Sequence, residues 1–113
     1  MGSQLYDSEA KPETVLLVGI QKDRTGEWSA VDSLNELREL CATAGAIVVD
    51  QIVCRLSRPH PGTYIGSGKA QEIADLVKAN SISTLVFDEE LSPAQGRNLE
   101  EIVGTKVVDR TQV

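Results

Sequence analysis

Four short apolar runs, separated by longer mixed segments, constrain the fold of this chain most strongly. They lie at residues 14–20, 46–55, 84–88 and 105–109 and read TVLLVGI, AIVVDQIVCR, TLVFD and TKVVD. Short runs rich in Val, Ile and Leu are typical of strands covered on both faces, as in parallel sheets. Aromatic residues make up only 4% of a chain that is 41% hydrophobic, a balance common in α/β domains. The runs therefore predict four strands of a largely parallel sheet.

The first two segments between the runs have the spacing of amphipathic helices. In the first, Ser29 precedes the apolar positions and Asp32 lies three residues further on, which resembles a capping box. Gly45 follows the last apolar position and predicts the end of this helix. In the second segment the apolar residues recur from Ala70 onward, and Asn80 is placed to end the helix.

The third segment has the clearest helix start in the chain. Ser92 is predicted as the N-cap and Pro93 as the first helical residue. Gln95 completes a capping box, because its side chain can bond back to the cap. Gly104 follows the last apolar position, and we expect the helix to end there.

The order β-α-β-α-β-α-β with short loops predicts one α/β domain: a four-stranded, mostly parallel sheet with three flanking helices. We expect the domain to span residues 14–113 and residues 1–13 to form a disordered polar tail. The second strand is predicted at an edge, since Asp50 and Gln51 interrupt its apolar run. Ligands of such sheets gather outside the carboxyl ends of the strands, where Asp88 and Asp109 fall.

Charge and cysteine content limit the classes of function. The formal net charge of −6 argues against broad electrostatic binding to DNA, RNA or a membrane surface, although it leaves room for a local basic contact. Cys41 and Cys54 lie in apolar segments without metal-ligand spacing, so we expect reduced core thiols and no metal site. The expected location is the cytoplasm.

The stretch TYIGSGKA, residues 63–70, invites a test for phosphate binding. A P-loop reads G-x-x-x-x-G-K-S/T, but the chain has Thr63 at the first glycine position and Ala70 at the magnesium-binding hydroxyl. Two interpretations remain open. Gly66, Gly68 and Lys69 could offer backbone N–H groups and a charge to an anion, or the glycines could only permit a tight turn into a helix.

Other candidate residues have simpler interpretations. The acidic run Asp88–Glu90 could bind a divalent cation, but a solvated loop before a helix is the preferred interpretation. His60 is expected to be an exposed loop residue, because spacing places no nucleophile beside it. Arg97 could form a solvated pair with Glu101, or with Asn98 it could form a contact face for RNA or protein.

Several motifs together resemble a known family. The segments IGSGK at 65–69, FDEELSPAQ at 87–95, RNLE at 97–100 and VDRT at 108–111 occur in the order and spacing of the N-terminal domain of HflX-type ribosome-associated GTPases. SLNEL at 33–37 and TAG at 43–45 also fit. The resemblance implies that a helical pair and a P-loop GTPase domain follow this domain in the parent protein.

The resemblance also implies where the chemistry of the parent protein takes place. This fragment is expected to be non-catalytic, whereas GTP and Mg²⁺ would bind elsewhere in the parent protein. The implied partners are the large ribosomal subunit and the protein's own GTPase domain, in a parent that dissociates or rescues stalled ribosomes. The alternatives are a weak ATP-binding domain that uses the Gly-Ser-Gly-Lys turn and a structural spacer that restrains GTP hydrolysis.

The family motifs supply the candidate residues. Nucleotide- or RNA-binding candidates are Gly66, Gly68, Lys69, Arg97, Asn98 and Arg110. Motif positions with an expected structural role are Asp88, Ser92, Pro93, Asp109 and Thr111. Asp109 and Arg110 are expected to pair near the junction with the helical pair.

Overall fold

The computed structural model describes residues 12–22 and 27–110, which form four strands and three helices in the predicted order. The elements are β1 (Thr14–Lys22), α1 (Glu27–Thr43), β2 (Ile47–Leu56), α2 (Ser67–Ala79), β3 (Thr84–Phe87), α3 (Pro93–Val103) and β4 (Lys106–Asp109). The α/β class is confirmed. Most of the expected tail lies outside the described residues; Glu13 is described, and its carbonyl accepts the Ile47 N–H at 2.8 Å.

The sheet has the strand order β2-β1-β3-β4, and all three pairings are parallel. The predicted edge position of β2 is confirmed. The register slips by one residue because Val15 pairs with Val48 while Leu16 pairs with Asp50, which leaves Val49 in a bulge. The Asp50 carboxylate accepts the N–H of Gln51 at 2.8 Å. The polar pair therefore marks a bulge and does not end the strand.

Helices cover the two faces of the sheet unequally. Val15 and Leu17 of β1 pack on the face that carries α1, together with Leu34. Leu16 and Val18 point to the opposite face, where they share a larger core cluster with α2 and α3. This strict alternation explains the continuous apolar run of β1, because both sides of the strand are buried.

The helix ends test the sequence predictions. The capping box of α3 is confirmed: the Ser92 hydroxyl accepts the Gln95 N–H at 3.1 Å, and the Gln95 carbonyl oxygen Oε1 accepts the Ser92 N–H at 2.9 Å. Gly104 and Asn80 end α3 and α2 as predicted.

The predicted cap of α1 is wrong. The helix begins at Glu27, so Ser29 lies inside its first turn. Ala30 and Leu34 are buried on the sheet whichever of these residues begins the helix, so a capping pattern that looks local did not fix its start. Within the described ranges, no helix is long and apolar enough to cross a membrane.

Gly19 sets how closely α1 approaches β1, and its substitution gives a first prediction. A Cβ atom at this position would lie 2.7 Å from Leu34 Cγ. We expect Gly19→Ala to lower the free energy of unfolding by roughly 1–3 kcal/mol, because Leu34 is fully buried and must shift. Urea unfolding followed by circular dichroism measures the change.

The matched control is Gly96→Ala on α3, where no atom lies within 4 Å of the new Cβ. We expect this variant to gain roughly 0.5–1 kcal/mol, since alanine is a better helix former than glycine. Equal stability of the two variants would contradict a tight contact between α1 and β1.

Candidate functional site

Most of the candidate residues lie at the carboxyl ends of the strands, which we call the carboxyl edge of the sheet. Asp88 follows β3 directly and is almost fully buried, with 6% of its side chain exposed. Arg110, at the end of β4, donates from Nε and Nη2 to Asp88 Oδ1 at 3.0 and 2.8 Å. The bond to Asp88 raises the pKa of Arg110, which stays charged. Arg110 is thus engaged within the fold while 53% of its side chain remains exposed.

Asp109 binds the loop that follows β3. Its Oδ2 accepts the N–H of Leu91 at 2.9 Å. The expected pairing of Asp109 with Arg110 is corrected, because the ionic partner of Arg110 is Asp88. The two side chains alternate along the chain and reach different neighbours. The role expected for Thr111 lies outside the described residues.

Tyr64 forms the centre of the loop between β2 and α2. Its ring is buried and meets Phe87 edge-on, with 6.5 Å between centroids. Its hydroxyl donates to Glu89 Oε1 at 3.3 Å, and burial with the nearby Glu89 charge raises the pKa of Tyr64 to about 12. The backbone φ of 70° is unusual for a bulky residue. Two hydrogen bonds with His60, each 2.9 Å, hold this conformation.

Side chains of α3 hold the same loop from the other side. Gln95 Nε2 donates to the carbonyl of His60 at 2.8 Å, and Asn98 Nδ2 donates to the carbonyl of Gly62 at 2.9 Å. The amide of Asn98, a candidate for RNA or protein contact, therefore has a structural bond. His60 is exposed, as expected, but its backbone joins the loop to α3.

The Gly-Ser-Gly-Lys stretch forms the start of α2. Gly66 is the N-cap, with φ 83° and ψ 152°, a conformation essentially reserved for glycine. Gly68 and Lys69 lie inside the first turn, so only Gly66 precedes the helix. Lys69 Nζ lies 2.8 Å from Glu72 Oε1, and this bond raises the pKa of Lys69. The backbone conformation of the turn thus explains why residue 66 is a glycine, but it does not explain the glycine at position 68.

Arg97 has a different environment from its neighbour Asn98. It is exposed and lines an open cavity of about 530 Å³ between α3, β4 and the Glu90–Pro93 loop. Glu100, in the same cavity, accepts the outward N–H of Val107 at 3.1 Å and so caps the edge strand. The cavity combines the Arg97 guanidinium with the carboxylates of Glu90, Glu100 and Asp109.

The cysteines are buried on opposite faces of the sheet. Cys41 belongs to the α1 cluster and Cys54 to the larger cluster, and both are free thiols. Burial raises the pKa of both thiols, which fits the expected role as core residues. In the described part of the chain, no group of three or more His, Cys, Asp or Glu side chains could hold a metal ion.

The sequence analysis did not identify the hydrogen bond between Tyr64 and Glu89 or the bond from Gln95 to the His60 carbonyl. One signal was available: a buried-type aromatic residue stands between a proline-rich loop and a glycine. Its partners could not be read from spacing, since Tyr64 and Glu89 are 25 positions apart. The arrangement that results is a network of internal hydrogen bonds.

Comparisons with known proteins define the class. The family described as "GTP-binding GTPase N-terminal" matches residues 31–113, which makes this chain the N-terminal domain of a GTP-binding protein. More particularly, the chain belongs to the HflX GTPase family. It is 46% identical over 112 residues to GTPase HflX of Lacrimispora saccharolytica and 43% identical over 81 residues to that of Escherichia coli K12.

The matched relatives are much longer proteins. The alignment covers 98% of this chain but 26% of the Lacrimispora protein, and 72% of this chain but 19% of the Escherichia coli protein. Two solved structures share the fold. A crystal structure of an SsGBP variant aligns with a TM-score of 0.63 at 22% identity, covering 87% of this chain and 29% of that one. The SsGBP–GDP complex gives a TM-score of 0.55 at 24% identity, covering 87% and 26%.

The two glycines of the turn should respond oppositely to substitution. A Cβ at Gly66 would adopt a forbidden backbone conformation and lie 3.2 Å from His60 Nε2, so we expect Gly66→Ala to cost roughly 1–3 kcal/mol. Gly68→Ala has open space inside a helix and should gain roughly 0.5–1 kcal/mol. Denaturant unfolding measures both; a loss of stability in Gly68→Ala would contradict this assignment.

We predict that ionisation of Tyr64 lowers the free energy of unfolding in alkaline solution. Its pKa in the folded state is about 12, above the ordinary value of 10, so its contribution is complete below pH 10 and is lost as pH rises towards 12. Two pKa units correspond to about 2–3 kcal/mol. Urea unfolding between pH 9 and 12 should show this extra loss relative to Tyr64→Phe. Parallel pH curves for the two proteins would refute the prediction.

Proposed function

We propose that this domain is a non-catalytic ribosome-binding and regulatory module of a longer HflX-type GTPase, whose parent protein binds the large ribosomal subunit and dissociates or rescues stalled ribosomes. The chain spans about a quarter of the Lacrimispora relative, so GTP hydrolysis is assigned to the remainder. GTP and Mg²⁺ would bind there, and the parent's own GTPase domain is a second partner. The proposed location is the cytoplasm.

The observation that carries the proposal is the internal bonding of the carboxyl edge. Asp88 holds Arg110, Asp109 holds the loop after β3, and Tyr64 joins that loop to the one before α2. These bonds join strands and loops of the domain, which accounts for the polar side chains without a catalytic role. A rigid surface of this kind loses little conformational entropy on binding, which favours docking to a large partner.

Arg97 is the side chain best placed to contact RNA. It is exposed on α3, next to the loop that the internal bonds hold in position. An acidic domain with a net charge of −6 needs a local cation where it meets phosphate, and a guanidinium can bind phosphate with two N–H groups. We expect Arg97 to contribute one phosphate contact to the affinity for RNA.

ATP binding at the Gly-Ser-Gly-Lys turn is the weaker alternative. The N–H groups of the first turn of α2 would favour an anion, but Lys69 is already paired with Glu72 at 2.8 Å. A nucleotide would have to compete for that charge. The position of a magnesium-binding hydroxyl is taken by the buried Ala70.

Co-sedimentation with large ribosomal subunits tests the proposal in the full-length protein. We expect Arg97→Ala to weaken binding about three- to tenfold and to reduce the slope of log affinity against log salt by roughly one, as for the loss of one phosphate contact. The change should leave unfolding unaltered, since Arg97 is exposed.

Lys78→Ala is the matched control, because it removes the same charge from the last turn of α2 at the opposite edge of the sheet. Its affinity and salt slope should equal those of the unmodified protein. Equal effects of Arg97→Ala and Lys78→Ala would show that only net charge matters. Binding that survives deletion of residues 1–110 would remove the basis for the proposal.

A further inference from the structure

Positive charge is concentrated in one stretch of this acidic chain. The chain carries 17 acidic residues, yet none of them lies among residues 51–71, where Arg55, Arg58 and Lys69 occur. This stretch includes the connection between β2 and α2, residues 57–66, which we call the β2–α2 loop. A local excess of cations attracts phosphate even though the net charge of the domain is −6.

Arg58 is the most available of these three cations. Lys69 is already paired with Glu72 at 2.8 Å, and Arg55 belongs to β2 rather than to the loop. Arg58 lies in the loop itself and is exposed to solvent. Its guanidinium can donate two parallel N–H groups to one phosphate, a geometry that lysine does not offer.

The β2–α2 loop is held in one conformation by the rest of the domain. His60 and Tyr64 exchange two backbone hydrogen bonds of 2.9 Å, which close a tight turn. The Asn98 Nδ2 group donates to the carbonyl of Gly62 inside that turn at 2.9 Å, and Gln95 Nε2 donates to the carbonyl of His60 at 2.8 Å. A loop fixed in this way loses little conformational entropy on binding.

The exposed side of the loop is polar and cationic. Residues 57–63 include Arg58 and His60, both exposed, but no aliphatic side chain larger than proline. The Glu89 carboxylate meets the loop at the buried Tyr64, where it is half-buried. Specific protein interfaces have an apolar centre, which this surface lacks, whereas contacts to a nucleic-acid backbone are made by arginine and polar groups. The chemistry of the loop therefore favours RNA as its partner.

We propose that the β2–α2 loop binds the phosphodiester backbone of ribosomal RNA, with Arg58 as the phosphate contact and Asn98 as the residue that positions the loop. This inference rests on the proposed function, because it requires that the domain meets the large ribosomal subunit. It adds a second cationic contact to that of Arg97. It also assigns Asn98 to the support of the loop instead of to RNA.

Co-sedimentation of the full-length protein with large ribosomal subunits at several salt concentrations tests the role of Arg58. We expect Arg58→Ala to weaken binding about three- to tenfold and to lower the slope of log affinity against log salt by roughly one. Arg58→Lys keeps the charge, so its salt slope should be unchanged. Lys78→Ala is the control and should bind like the unmodified protein.

The role of Asn98 is tested in the same assay. Asn98→Ala removes the bond to the Gly62 carbonyl but no charge, so we expect about threefold weaker binding with an unchanged salt slope. If Asn98 acts by positioning Arg58, Asn98→Ala should have no further effect in the Arg58→Ala protein. Losses that simply add in the double variant would overturn the positioning role, because they would show an independent contact.

Cross-linking identifies the partner of the loop. A photoreactive p-azidophenylalanine in place of Pro61, which is exposed in the turn, should cross-link to ribosomal RNA in the complex. Cross-links to ribosomal protein alone would overturn the inference. If Arg97→Ala weakens binding while Arg58→Ala behaves like Lys78→Ala, the inference is overturned and the proposed function stands. A full-length protein that does not sediment with the subunit would overturn both.

Discussion

Both faces of a parallel sheet must be buried, and the carboxyl ends of all its strands lie on the same side of the sheet. In this domain, those two constraints account for most of the structure. The first produces the alternation in β1, where Val15 and Leu17 meet α1 while Leu16 and Val18 meet the opposite layer. The second collects the polar ends of β3 and β4 into one bonded group. On the face that carries α1, no helix among the described residues lies over β3 and β4.

The carboxyl edge derives its rigidity from contacts between segments that are distant in sequence. Tyr64 keeps a left-handed backbone, and such conformations persist only when their surroundings determine them strongly. Here the surroundings are two backbone bonds to His60, the ring of Phe87 and the carboxylate of Glu89. Because Gln95 of α3 also bonds the His60 carbonyl, the loop and the helix form one surface.

Local signals gave correct predictions where the physics is local. The capping box at Ser92 and Gln95 formed as expected, because both partners lie within one helical turn. Ser29 carried a similar pattern but lies inside α1, because a capping pattern is a weak preference and this helix begins two residues earlier, at Glu27. Gly66 and Gly68 looked equivalent in sequence, yet only Gly66 has a backbone conformation that demands glycine. The resemblance to HflX proteins is confirmed by the family match.

The sequence by itself determined the order of elements, the α/β class and the family, because hydrophobic period, helix caps and short motifs are properties of neighbouring residues. The tertiary structure alone decided which charges meet. Arg110 selects Asp88 rather than the adjacent Asp109, and Asn98 turns to a carbonyl 36 positions away. Such pairs depend on the strand order β2-β1-β3-β4, which brings β1 between β2 and β3. Periodicity carries no information about that order, since strands of equal hydrophobicity could be arranged in other ways.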